Sequence, residues 1–149
     1  VAYGASVELT GASGARVVSL ADFFLPPDMQ RAHDAKLSPG EILTRVIVPP
    51  LRPGTKAAYH KQTERESYDW PICDVAVVLT MEQETVRNAS IVMGWVAPVP
   101  RRAAESERLL VGQRLTEGLA RQAARAAVAE ATPLSKNTAP ARVPGYVDA

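Results

Sequence analysis

Ile72-Cys73-Asp74-Val75-Ala76-Val77-Val78-Leu79-Thr80-Met81, then Glu82-Gln83-Glu84-Thr85, then Val86 through Ile91-Val92-Met93-Gly94-Trp95-Val96-Ala97, is the stretch that decides the fold. Val75, Val77, Leu79 and Met81 alternate with Asp74, Ala76, Val78 and Thr80, so apolar residues occur on both faces, as in a central strand. In the next run Ala89, Ile91, Met93 and Trp95 oppose Val92, Gly94 and Val96. A short polar connection between two such runs makes an antiparallel hairpin, because a parallel crossover needs a dozen or more residues. Pro98 and Pro100 close the second strand.

Upstream, Lys56 to Gln62 reads as a strand with Ala57, Tyr59 and Lys61 on one face and Ala58, His60 and Gln62 on the other. Leu51-Arg52-Pro53-Gly54 is turn chemistry, and before it Glu41 to Val48 alternates as a strand that Pro49-Pro50 stops. At the start, Ala5 to Thr10, the turn Gly11-Ala12-Ser13-Gly14, and Arg16 to Leu20 predict a β-hairpin. Those glycines are not a phosphate loop, which would run from a strand into a helix N-terminus. From Leu25 to Gly40 the chain shows no apolar period and reads as a linker of about 15 residues, its entrance pinned by Phe23 and Phe24. His33 has Asp34 beside it but no second His or Cys at ligand spacing, so it reads as a solvated loop histidine.

Downstream the period changes from 2 to 3.6. Ala103 to Val111 predicts a short amphipathic helix with Gly112 as its C-cap. Thr116 is an N-cap for a second helix, Glu117 to Ala131, whose stripe is Leu119, Ala123, Ala126, Ala127 and Glu130. Thr132-Pro133 ends it, and Leu134 to Ala149 has no period and reads as loop or disorder. Strands followed by helices predict an α+β domain, an antiparallel sheet with helices packed on one face. The predicted organisation is a hairpin over 1–24, a linker over 25–40, the α+β domain over 41–133 and an irregular tail over 134–149.

The chain has 149 residues, 46% hydrophobic and 22% charged, enough for one sizeable core. Its 17 basic and 16 acidic residues leave a net charge of +1, which carries no electrostatic footprint for nucleic acid or an anionic membrane. No apolar window reaches the roughly 20 residues of a membrane helix, and no signal peptide opens the chain. It begins at Val1, straight into strand-like sequence, so residues upstream are expected. The single cysteine, Cys73, lies in an apolar run, which suits a core role and a reducing, cytoplasmic compartment. No His/Cys set has metal-ligand spacing, so no protein-held metal is expected. Neither a G-x-S-x-G elbow nor a Cys with an oriented histidine indicates covalent catalysis, and no catalytic residue is assigned.

The densest chemistry lies in Tyr59-His60-Lys61-Gln62-Thr63-Glu64-Arg65-Glu66-Ser67-Tyr68-Asp69-Trp70-Pro71. So many polar and aromatic groups between two strands belong at a surface or cleft. Glu64, Glu66 and Asp69 beside Lys61 and Arg65 read as a surface ion-pair network rather than an acid/base pair, which would need burial. Lys61, leaving the sheet on Tyr59's side just before Asp69 and Trp70, is the sharper candidate. It would set a positive charge beside an electron-rich ring or a phosphate, against the plainer reading of a surface lysine.

Pro39-Gly40-Glu41-Ile42-Leu43-Thr44-Arg45-Val46-Ile47-Val48-Pro49, then Tyr59-His60-Lys61 with Arg65 and Asp69-Trp70-Pro71, then Gly94-Trp95-Val96-Ala97-Pro98-Val99-Pro100-Arg101-Arg102 and Glu107-Arg108-Leu109-Leu110-Val111-Gly112 form a spaced set. Over residues 38–137 it resembles the C-terminal domain of the FAD-binding subunit of molybdenum hydroxylases, the xanthine dehydrogenase and carbon monoxide dehydrogenase flavoprotein family. The resemblance implies an α+β fold and an oxidoreductase active only as a heteromer. In that family a molybdopterin-binding large subunit oxidises the substrate, a small subunit relays electrons through 2Fe-2S clusters, and FAD passes them to an acceptor, and the resemblance implies the same partners here. It implies FAD contacts at Lys61 and Leu43, with Asp69 and Trp70 bordering the isoalloxazine ring. Residues 1–24 look like the last hairpin of an upstream FAD-binding domain. The Gly-rich loops that hold the FAD pyrophosphate in that family do not occur between Val1 and Ala149, so FAD binding would be completed elsewhere. Pro133-Leu134-Ser135-Lys136-Asn137 fits the family, whereas Thr138 to Ala149 does not continue into its usual terminal helix. The alternative is a non-enzymatic α+β protein-interaction module using the Ala-rich helix and exposed Trp or Tyr.

Overall fold

A computed structural model describes residues 1–27 and 34–133. His33 and the 134–149 tail lie outside the described residues, as does the middle of the 25–40 segment. The chain divides into two compact units between Leu51 and Arg52.

The first unit is a three-stranded antiparallel sheet in the order β2-β1-β3, with β1 Ser6–Gly11, β2 Gly14–Ser19 and β3 Ile42–Ile47. The hairpin closes tightly, with Gly11 opposite Gly14 and Ser6 opposite Ser19. A single helical turn, α1 (Leu20–Phe23), follows, capped by the Ser19 hydroxyl accepting from Ala21 N. Val7, Leu9 and Phe23 form its small core.

The sequence grouped Glu41 onward with the later strands, but β3 pairs with β1, Leu43 opposite Leu9 and Val46 opposite Val7. An alternating run such as 42–47 fits either sheet, so polar contacts across the ladder choose the partner. Thr44 Oγ1 donates to Glu8 Oε1 at 3.0 Å and lies 3.0 Å from Thr10 Oγ1, and Arg45 lies 3.7 Å from Glu8. The described part of the segment before β3 has no regular element and is fastened to the sheet. Phe24 bridges Ala35, Lys36 N donates to the Phe23 carbonyl, and Arg16 donates to the Lys36 carbonyl at 2.9 Å and to both Glu41 oxygens at 2.7 Å.

The second unit is a four-stranded antiparallel sheet, β4 (Thr55–Gln62), β5 (Cys73–Glu82), β6 (Thr85–Gly94) and β7 (Arg101–Arg102), in that order. Two helices, α2 (Ala104–Leu110) and α3 (Glu117–Ala129), follow. β5 is central, as its apolar residues on both faces predict. The β5–β6 turn is tighter than the four-residue polar run, because Glu82 still pairs with Thr85 and Gln83 takes a φ of 53°.

Val75, Val77, Leu79 and Met81 share one face with Ala89, Ile91 and Met93, and on that face they pack with Leu110, Leu119, Ala123 and Ala127 of the helices. Each buried Val, Leu or Met contributes about 1.5–3 kcal/mol by leaving water. The alanine stripe permits close helix approach, and Ser106, fully buried, stitches the helices by donating to the Ala123 carbonyl at 2.6 Å. Thr116 caps α3 by accepting from Leu119 N, and Gly112, at φ 82°, follows α2 in the left-handed conformation that ends it.

β7 is only two residues long, and beyond it a side chain continues the ladder. Glu107 Oε1 accepts from Ile91 N at 2.8 Å, while Arg102 Nε donates to both carboxylate oxygens at 2.8 and 2.9 Å. Glu107 is buried.

Candidate functional site

The face of this sheet opposite the helices carries Thr55, Ala57, Tyr59 and Lys61 of β4, opposite Thr80, Val78, Ala76 and Asp74 of β5. At its end the register aligns Lys61, Asp74 and Gly94 across three strands. A Cβ at Gly94 would come within 2.1 Å of Asp74 Oδ1, so the Asp74 side chain occupies its place because position 94 has no side chain. The Asp74 carboxylate thus lies against Gly94 of β6, and its other oxygen accepts from the Tyr59 hydroxyl at 3.0 Å. Partial desolvation, and after it this carboxylate, raise the Tyr59 phenol above its ordinary value.

Residues 63–71 leave the sheet as a loop whose mouth is closed by Ile72 N donating to the Gln62 carbonyl. Asp69 organises it, Oδ2 accepting from Arg65 N and Oδ1 from Trp70 N, both at 2.9 Å. Lys61 Nζ donates to the Asp69 carbonyl at 2.7 Å, though Asp74 is its direct partner in register. Among the described residues the expected ion-pair network of Lys61, Glu64, Arg65, Glu66 and Asp69 is therefore absent. Asp69 satisfies backbone N–H groups instead, which an exposed loop needs more than it needs a weak surface pair.

Trp70 projects from the loop, 77% exposed, with its ring centroid 5.7 Å from that of Trp95 at an interplanar angle of 56°. Trp95, 55% exposed, follows Gly94 directly and has a φ of 64°. Tyr68, two residues before Trp70 in sequence, has a φ of 53° and is fully exposed. Two non-glycine residues in the left-handed region within one site is the local strain that functional loops retain when the surroundings hold it.

The structure thus brings together Lys61, Asp69 and Trp70. Leu43, the fourth predicted residue, belongs to β3 of the other unit. Sequence reasoning did not single out Trp95, Asp74 or Gly94 as site residues. The Gly-Trp pair ending an alternating strand was the available signal, since a glycine in a strand marks close approach. Among the described residues no His, Cys, Asp or Glu cluster could hold a metal ion.

Lys61 Nζ is thus tied to the residue that precedes Trp70, and Trp70 is paired with Trp95, so the loop carries an ammonium with donors to spare and exposed ring surface. The chain belongs to the CO dehydrogenase flavoprotein C-terminal domain family, whose profile matches residues 58–142. It is 36% identical to the carbon monoxide dehydrogenase medium chain of Afipia carboxidovorans over 138 residues, 93% of this chain and 46% of that protein. It is 32% identical to the aldehyde oxidoreductase FAD-binding subunit of Escherichia coli over 87 residues, 58% of this chain and 26% of that one. Among solved structures, carbon monoxide dehydrogenase from Hydrogenophaga pseudoflava superposes with a TM-score of 0.84 at 29% identity, covering 99% of this chain and 51% of that one. The chain spans about half the length, or less, of the curated relatives it matches.

The described residues suit part of FAD. Lys61 has three N–H donors and gives one to Asp69, so two remain for an anionic or carbonyl edge. The exposed Trp70 indole offers a ring face. No Gly-rich loop runs from a strand into a helix among the described residues, so nothing in them would cradle the pyrophosphate.

Proposed function

We propose that this chain forms one wall of a flavin site in the medium subunit of a heteromeric molybdenum hydroxylase. That subunit passes electrons from a molybdopterin-binding large subunit, through a 2Fe-2S small subunit, to an external acceptor in the cytoplasm. The reading is supported by the family and carried by one observation: the Lys61 ammonium is fixed at 2.7 Å to the carbonyl of Asp69, the residue directly before the exposed Trp70.

When bound, FAD supplies the redox chemistry. Lys61 presents positive charge to the ring edge and thereby favours its electron-rich form. Asp69 holds the loop so that Lys61 and Trp70 keep their spacing. Trp70 excludes water from one face. Residues outside this chain hold the pyrophosphate.

Lys61→Ala in the complete FAD-loaded assembly tests this. A lower flavin midpoint potential and a slower reduction of the acceptor are expected, and unchanged values of both would sink the reading. The potential is read by spectroelectrochemistry, independently of turnover.

A further inference from the structure

We propose that Trp95 is a positioning residue: its indole holds the Trp70 indole in place against the ring that Trp70 covers. This deepens the flavin-wall reading and rests on it. Trp70 stands on a loop, 77% exposed, and apart from its backbone bond to Asp69 the described contact of its side chain is with Trp95, at 5.7 Å between centroids. Trp95, by contrast, is anchored to the sheet. Gly94 before it is pressed on Asp74, Asp74 is bonded to Tyr59, and Val96 after it is buried in the helix-side core. Its φ of 64° turns the chain at that point.

A left-handed conformation at a β-branched or bulky residue is unfavourable and needs its surroundings to sustain it. Burial of Val96 in the core on one side and the close approach of Asp74 to Gly94 on the other supply them. Trp95 is therefore the fixed member of the pair and Trp70 the adjustable one. A tilted aromatic pair of this kind biases the partner's population by about two- to tenfold. Trp95 itself needs no contact with the flavin.

The test uses the complete flavoprotein subunit, first without and then with FAD. Without flavin, the ultraviolet circular dichroism of the wild type should show an indole exciton couplet that Trp95→Ala and Trp70→Ala both abolish. With flavin, Trp70→Ala should raise flavin fluorescence by removing a quenching indole, and Trp95→Ala should raise it about two- to tenfold by loosening Trp70. Trp95→Phe retains a ring to hold Trp70 and should leave emission within about twofold of the wild type. On the Trp70→Ala background, Trp95→Ala should add nothing.

Unchanged emission in Trp95→Ala overturns the proposal. So does an increase of the same size with and without Trp70, which would mean that Trp95 touches the ring itself. An increase in Trp95→Phe as large as in Trp70→Ala overturns it too. If the couplet is present but Trp70→Ala leaves flavin emission unchanged, the flavin-wall reading fails instead.

Discussion

Gly94 and Asp74 are packed so closely that the glycine's missing side chain is what gives the carboxylate its place: a Cβ at position 94 would meet Oδ1 at 2.1 Å. Gly94→Ala should push the Asp74 side chain aside, break its bond from the Tyr59 hydroxyl and cost about 1–2 kcal/mol of stability. The Tyr59 phenol, raised by partial desolvation and then by Asp74, should move down toward its ordinary value. Carbon-13 labelling of tyrosine and NMR titration would follow it. A Tyr59 titration identical to the wild type would show that Asp74 does not depend on Gly94.

Glu41 makes the first unit sensitive to acid. The Arg16 side chain, followed by the Ser38 N–H, holds its carboxyl at about 2 against an ordinary 4.5. Because the folded value is the lower one, the contribution is fully present above the ordinary value. It declines as pH falls from there through about 2, where the carboxylate is neutralised in the folded state as well. Arg16→Gln should raise the Glu41 value and remove most of that slope between those limits. Acid unfolding of the two proteins, monitored by circular dichroism, should differ above pH 4.5 and converge near pH 2. Parallel curves would contradict the assignment.

Why some of this architecture was legible before the structure, and some not, follows from the range of each signal. The β5–β6 hairpin and both helices are local: period, caps and polar turn residues lie within a few positions of one another, and Thr116 and Gly112 act where the sequence placed them. The partner of β3 is not local. Ile42 to Ile47 carries the same alternation whichever sheet it joins, and the deciding contacts come from Glu8 and Thr10, more than 30 residues away. At the site, Lys61, Asp69 and Trp70 were adjacent enough to be read as one stretch. Trp95 was hidden because its relation to Trp70 passes through the register of two strands.

Glu107 gives a test of the second unit that does not involve the loop. Its buried carboxylate takes the place of a strand partner for Ile91 N after β7 ends, and binds Arg102 besides. Glu107→Ala should cost about 1–3 kcal/mol, chiefly for the buried N–H left without an acceptor. Arg102 is more than half exposed, so its part of the loss should be small. Glu107→Gln keeps a carbonyl oxygen for Ile91 and should lose roughly half as much. Denaturant melts would show the order, and equal losses in the two variants would assign the effect to the ion pair instead.

Asp69 should control the loop without controlling the fold. It accepts from Arg65 N and Trp70 N, while the sheet on either side is closed by the Ile72 N to Gln62 carbonyl bond, which does not involve it. Asp69→Ala should therefore speed amide hydrogen exchange at Arg65 and Trp70 by about tenfold or more, since hydrogen bonds to a charged group are worth about 1.5–3 kcal/mol where they are not screened. Exchange at Val77 and Ile91, in the ladder beneath the helices, should change by less than about twofold. Asp69→Asn retains one carbonyl acceptor and should protect one of the two amides. The Lys61 ammonium binds the backbone carbonyl of residue 69 and not its carboxylate, so its own partner survives both substitutions. Loss of that contact in Asp69→Ala, seen as a shifted Lys61 side-chain resonance, would show that the carboxylate sets the carbonyl's direction too. Fast exchange spreading into β5 would show that the loop and the sheet open together.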